Sequence, residues 1–83
     1  VGEKRQLDST TGTQVQRFAS ERGLTQAEAN ILQQLIDGLT PMQIAVEQDI
    51  SIATVRTHIA RLHEKCGVRR TLDLIRLALG ARA

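Results

Sequence analysis

"SIATVRTHIARLHEKCG", residues 51–67, decides the fold. Ser51 is a residue type that caps helix N-termini, and Gly67 is one that ends them. Between them Val55, Ile59, Leu62 and Cys66 recur at helical spacing and form one apolar stripe. The pattern predicts a helix over 52–66, roughly 21–23 Å long at ~1.5 Å per residue. Ile50 and Val55 flank the cap as a hydrophobic staple pair. Opposite the stripe lie Ala53, Arg56, Thr57, Ala60 and Arg61, so the outer face is basic and studded with small residues.

The same signals repeat upstream. Thr40 with Gln43 has capping-box spacing, Pro41 suits the first helical position, and Leu39 with Ile44 makes a second staple. A short helix over 41–48 follows, and Asp49 and Ile50 make a tight turn into the next. Before it, Thr25 and Glu28 form another capping box. Ile31, Leu32, Leu35 and Ile36 carry a helix over 26–37, and Gly38 supplies its stop.

Downstream, Thr71 is placed to cap a last helix over 72–80 that is apolar on two sides. Leu72, Ile75 and Leu79 share one face; Leu74, Leu77, Ala78 and Ala81 share another. A helix this short buries one face in so small a domain. The Leu74, Leu77, Ala78 and Ala81 face is therefore a candidate dimer interface, with packing by the tail as the alternative.

At the other end, residues 1–12 lack periodicity and read as a linker or tail. Residues 13–23 allow a short leading helix: Thr13 and Gln16 have capping-box spacing, Val15, Phe18 and Ala19 share a face, and Gly23 can end it. The fold class is all-α: a four-helix helix-turn-helix domain over 24–83, with that leading helix before it.

Composition narrows the function. The 83 residues contain one Phe, no Trp and no Tyr, so the core is aliphatic and the chain holds one small domain. No apolar run approaches the ~18 residues of a membrane span. The single cysteine cannot form an internal disulfide, which suits a reducing cytoplasm. The chain begins at Val1 without a secretory leader and reads as the C-terminal piece of a longer protein.

Net charge is +2, but unevenly spread. Residues 24–49 contain no Lys or Arg and carry Glu28, Asp37, Glu47 and Asp49, a charge of −4. Residues 50–71 carry Arg56, Arg61, Lys65, Arg69 and Arg70 against Glu64, a charge of +4. A basic block on a short helix-turn-helix pair fits duplex DNA. The second helix suits the major groove, and its capped N-terminus offers free N–H groups to a phosphate.

The ordered set of residues over Leu24–Leu79 resembles the LuxR-type (GerE, or NarL/FixJ) helix-turn-helix domain. It comprises "LT" at 24–25, Glu28, "IL" at 31–32, "GLT" at 38–40, "IA" at 44–45, "IS" at 50–51, "TVRTH" at 54–58 and "KCGV" at 65–68. The resemblance implies the DNA-binding output domain of a bacterial transcription regulator, usually C-terminal and dimeric through its last helix. It further implies that Arg56 and Thr57 match base-contacting positions and that Ser51, Thr54 and Lys65 lie near phosphates.

Ala53 and Ala60 on the same face would let the helix approach bases closely. Arg61 is placed for phosphate or guanine. Arg69 and Arg70 either hold phosphate or solvate a loop. The sequence departs from the family pattern at Ala27, Met42, Gln48, Ala60 and Thr71.

The expected partners are double-stranded DNA, a second copy of the chain and, for an activator, RNA polymerase, with no membrane and no cofactor. His58 and His63 are five residues apart and point to different helix faces, so no metal site is expected with Cys66. No nucleophile–base or carboxylate pair suggests an enzyme. Two other readings remain: a protein-interaction helix-turn-helix that has lost DNA binding, and a sigma-factor-like promoter-reading domain. Stacking on single-stranded RNA is disfavoured, because Phe18 is the only aromatic residue.

Overall fold

The computed structural model describes residues 9–80, with side chains from residue 12. Five helices follow one another: α1 Ser9–Arg22, α2 Gln26–Ile36, α3 Pro41–Gln48, α4 Ile52–Cys66 and α5 Thr71–Ala78. Every regular element among the described residues is helical.

The helix starts are set by side-chain caps. The Glu28 N–H donates to Thr25 Oγ1 (3.1 Å) and the Thr25 N–H to Glu28 Oε1 (2.9 Å), closing the box on α2. Thr40 and Gln43 do the same for α3, at 3.2 and 2.8 Å. Ser51 caps α4 by accepting from the Thr54 N–H at 3.0 Å. Each such cap stabilises its helix by about 1 kcal/mol. Gly67 ends α4 at φ 67°, where a side chain would be strained. Asp49 closes α3 in the same left-handed region, at φ 55°, and turns the chain into the α4 cap. Aspartate tolerates that conformation better than most residues with a Cβ.

The core draws on every helix. Ile31, Leu32, Ile44, Val55, Leu62 and Leu74 are fully buried, joined by Val15, Phe18, Leu35, Ala45, Cys66 and Ala78. Each large aliphatic side chain among them stabilises the fold by about 1.5–3 kcal/mol. The helix α4 rests on α2, α3 and α5, which fixes its orientation and leaves its other side in solvent.

Three expectations are corrected here. The leading helix begins at Ser9, not 13, so residues 9–12 are helical and Thr13 lies inside the helix, where it cannot form the expected box with Gln16. Polar residues of poor helix propensity continue the helix because Val15, Phe18 and Ala19 dock it into the core; packing overrides propensity. The tail reading of 1–8 lies outside the described residues. Thr71 does not cap the last helix: Arg70 occupies the cap position without a side-chain bond, and the Thr71 hydroxyl lies 3.3 Å from His63 Nε2 instead.

The third correction concerns the faces of α5. Leu74 and Ala78 are buried in the chain's own core, and Leu77 is half-buried against α1. They are not free to meet a partner, because α1 covers that face. Leu72 and Leu79 are exposed instead, with Ile75 half-buried between them. Ala81 lies outside the described residues.

One departure from the family pattern has a structural counterpart. The Gln48 side-chain amide donates to Gln34 Oε1 on α2, so a polar pair ties α3 to α2 at that position.

Candidate nucleic-acid interface

The solvent side of α4 is built by exclusion. Val55, Leu62 and Cys66 are buried and Ile59 is half-buried, so Ala53, Thr54, Arg56, Thr57, Ala60 and Arg61 are left exposed. Sequence periodicity predicts this division, and the structure has it. Arg56 and Arg61 form no hydrogen bond or ion pair among the described residues. Arg69, in the loop after α4, is equally unengaged and exposed. Guanidinium groups of this kind have their full donor forks available for guanine edges or phosphates.

Thr57 is more restricted. Its hydroxyl donates to the Ala53 carbonyl at 3.0 Å, so it can only accept from a base, through its oxygen lone pairs, or pack its methyl group against one. At the start of the helix Ser51 Oγ lies 2.9 Å from Thr54 Oγ1 while capping the Thr54 N–H. The cap leaves the first N–H groups of α4 pointing out of the helix end, where they suit an anion.

Two of the expected phosphate contacts are engaged elsewhere. Lys65 Nζ lies 2.8 Å from Glu28 Oε1 and donates also to the Gly23 carbonyl at 3.3 Å. Lys65 thus neutralises a carboxylate that is 1% exposed. Burial pushes the Glu28 carboxyl up, but the bonds from Lys65 and the Thr25 N–H outweigh it, and the group sits below its ordinary value. Arg70 shares its charge with Asp73, Nε to Oδ2 at 3.2 Å, across the first turn of α5. It remains largely exposed.

The Glu28–Lys65 pair is the feature that sequence reading missed. Capping-box spacing identified Glu28, and the basic stretch identified Lys65, but the partners are 37 residues apart. Only the packing of α2 against α4 brings them together.

The histidines and the cysteine have separate places. His63 bonds Thr71 and Cys66 is buried, its thiol pushed up by burial. His58 is half-buried, with a buried Nδ1 that has no partner among the described residues. No group of three His, Cys, Asp or Glu able to hold a metal occurs among the described residues. Nor is any helix among them long and apolar enough to cross a membrane.

Residues 22–78 match the family model described as bacterial regulatory proteins, luxR family. Among curated proteins, the chain is 38% identical over 63 residues to the uncharacterized response regulatory protein YgeK of Escherichia coli (strain K12), covering 76% of this chain and 43% of that protein. It is 38% identical over 55 residues to the HTH-type transcriptional regulator MalT of Klebsiella pneumoniae (strain 342), covering 66% of this chain and 6% of that one. It is 34% identical over 68 residues to MalT of Yersinia pestis (strain Pestoides F), covering 82% of this chain and 8% of that protein. The chain thus spans less than half the length of these relatives. No solved structure matches it.

Proposed function

The chain belongs to the luxR family of bacterial regulatory proteins, and from that membership we propose that it reads a specific duplex DNA sequence for a transcription regulator. In this reading α4 lies in the major groove. Arg56 and Thr57 meet base edges, and Ala53 and Ala60 allow close approach. Ser51 and Thr54 at the helix start, with Arg61, Arg69 and Arg70, hold phosphates. The observation that carries the proposal is the outer face of α4, where unengaged arginines stand among small residues opposite a buried stripe.

Dimerisation brings two such helices to two half-sites, and Leu72, Ile75 and Leu79 are the apolar residues of α5 left for it. The domain is the C-terminal output part of a longer cytoplasmic regulator, with no catalytic activity of its own, and RNA polymerase is the downstream partner of an activator.

Arg56→Ala tests the assignment. A bidentate arginine–guanine contact contributes about 1–3 kcal/mol of discrimination, a five- to 150-fold loss at the preferred site. Binding to unrelated duplex should fall far less. Equal affinity of the variant and the parent chain for the preferred site would remove Arg56 from the reading set.

A further inference from the structure

Among the described residues four large apolar side chains are exposed. Met42 (67%) and Val46 (77%) lie on α3, and Leu72 (54%) and Leu79 (39%) lie at the two ends of α5. They form two pairs. Met42 and Val46 are four residues apart, stand one above the other, and with Leu39, Gln43 and Glu47 line an open groove of about 390 Å³. Leu72 and Leu79 are two helical turns apart, with half-buried Ile75 between them and exposed Arg76 alongside, so they form a ridge. Single exposed apolar residues are ordinary; paired sets of this kind mark contact surfaces.

The two surfaces carry opposite charge. Around the groove, residues 39–50 contain Glu47 and Asp49 and no Lys or Arg, a charge of −2. Around the ridge, residues 69–79 contain Arg69, Arg70 and Arg76 against Asp73, a charge of +2. Arg69 and Arg76 form no hydrogen bond or ion pair among the described residues. Pairing two grooves about a two-fold axis brings Glu47 towards its own counterpart, and pairing two ridges brings Arg76 towards its own. A ridge set into a groove instead joins apolar to apolar and arginine to carboxylate. One chain cannot make this contact with itself. The helices α3 and α5 each pack on α4 and not comparably on each other, so the two surfaces lie apart. Neither includes the outer face of α4.

We propose that the α5 ridge of one copy docks in the α3 groove of the next, so that copies line up head to tail on DNA sites repeated in one direction. This rests on the DNA-reading role of α4 and supplies the surface that Leu72 and Leu79 meet in the dimer. A contact between unlike surfaces extends copy by copy and matches direct repeats, whereas a two-fold contact matches inverted ones.

The test uses the parent chain, Val46→Lys and Leu72→Glu. The first substitution sets a cation against Arg76 of the incoming ridge, and the second drives a carboxylate into the acidic groove. Both positions are exposed, lysine suits the end of α3 and glutamate the start of α5, so both variants should keep the parent unfolding midpoint. In the first arm, without DNA, the methyl resonance of Met42, the only methionine, is followed with rising concentration. In the second, occupancy is compared on duplexes carrying one preferred site and two such sites in direct repeat.

The parent chain should show a Met42 shift that grows with concentration and about tenfold cooperativity on the repeat. Each variant alone should lose the shift and fall to about twofold cooperativity or less. An equimolar mixture of the two should recover the shift and part of the cooperativity, because the intact ridge of one variant finds the intact groove of the other. Association of Val46→Lys alone at the parent's strength would make the contact ridge to ridge, and of Leu72→Glu alone groove to groove; either overturns the proposal. So does a mixture no better than its components, or a parent chain with neither shift nor cooperativity. If no preferred site can be selected but the shift and its recovery are seen, the DNA-reading role fails and the head-to-tail contact stands.

Discussion

Replacing Lys65 with methionine separates two tasks that one lysine on a basic helix could perform. If Lys65 holds a DNA phosphate, its loss leaves stability unchanged and reduces the salt dependence of DNA binding by about 0.9 in log–log slope. The structure gives the opposite expectation. Glu28 is 2% exposed at its side chain and Lys65 is 34% exposed, with 2.8 Å between them. Breaking a fully buried pair costs about 3–5 kcal/mol and an exposed one about 0–1 kcal/mol.

Water reaches the Lys65 side, and the Thr25 N–H still serves the carboxylate after the lysine is gone. The expected loss is therefore intermediate, about 2 kcal/mol. Methionine keeps most of the aliphatic stem, so the loss reports the ammonium group rather than packing. Urea unfolding measures it directly. Adding Glu28→Gln should recover part of the loss, because glutamine still accepts from the Thr25 N–H without a charge to bury. A loss under about 0.5 kcal/mol, within the range of an exposed pair, together with a shallower salt slope, would refute the structural role and return Lys65 to the DNA face.

The same pair makes stability depend on pH. Glu28 in the folded chain titrates below its ordinary value of 4.5, so its contribution is complete above that pH and is lost as pH falls through the lower, folded value. Acid unfolding of Glu28→Gln should show a flatter profile in that window, and parallel profiles would contradict the assignment. Gly67→Ala should destabilise by about 1 kcal/mol in urea unfolding, entirely through backbone strain at φ 67°, because no atom lies within 4 Å of an added Cβ. No loss would mean the turn relaxes. Leu79→Glu should shift sedimentation of the chain on a two-site duplex from two bound copies towards one without lowering its unfolding midpoint. Leu74→Glu should instead unfold the domain, since Leu74 is wholly buried.

Much of this arrangement is local and therefore legible in sequence. Thr25, Thr40 and Ser51 act on residues three positions away, so their spacing reveals three helix starts. The stripe Val55, Leu62 and Cys66 divides α4 into a core face and an outer face by periodicity alone. What escapes is non-local. Thr13 resembles a cap, but the docking of Val15, Phe18 and Ala19 carries α1 back to Ser9.

The two apolar faces of α5 are equivalent in sequence, and only the position of α1 shows that Leu74, Leu77 and Ala78 turn inward. Lys65 has the spacing of a surface charge until the contact between α2 and α4 supplies its partner.

The most direct test of the DNA-reading account is selection from random duplex DNA with this chain, followed by titration of the selected duplex at several salt concentrations. Arg61 and Arg69 are unengaged and Arg70 is shared with Asp73, so two to three phosphate contacts at about 0.9 each predict a log–log slope between about −1.8 and −2.7 per bound protomer. It also predicts an enriched motif whose half-sites recur at a spacing near one helical turn or a multiple of it. No enrichment, with binding indifferent to salt, would contradict it and leave a helix-turn-helix that serves protein contacts alone.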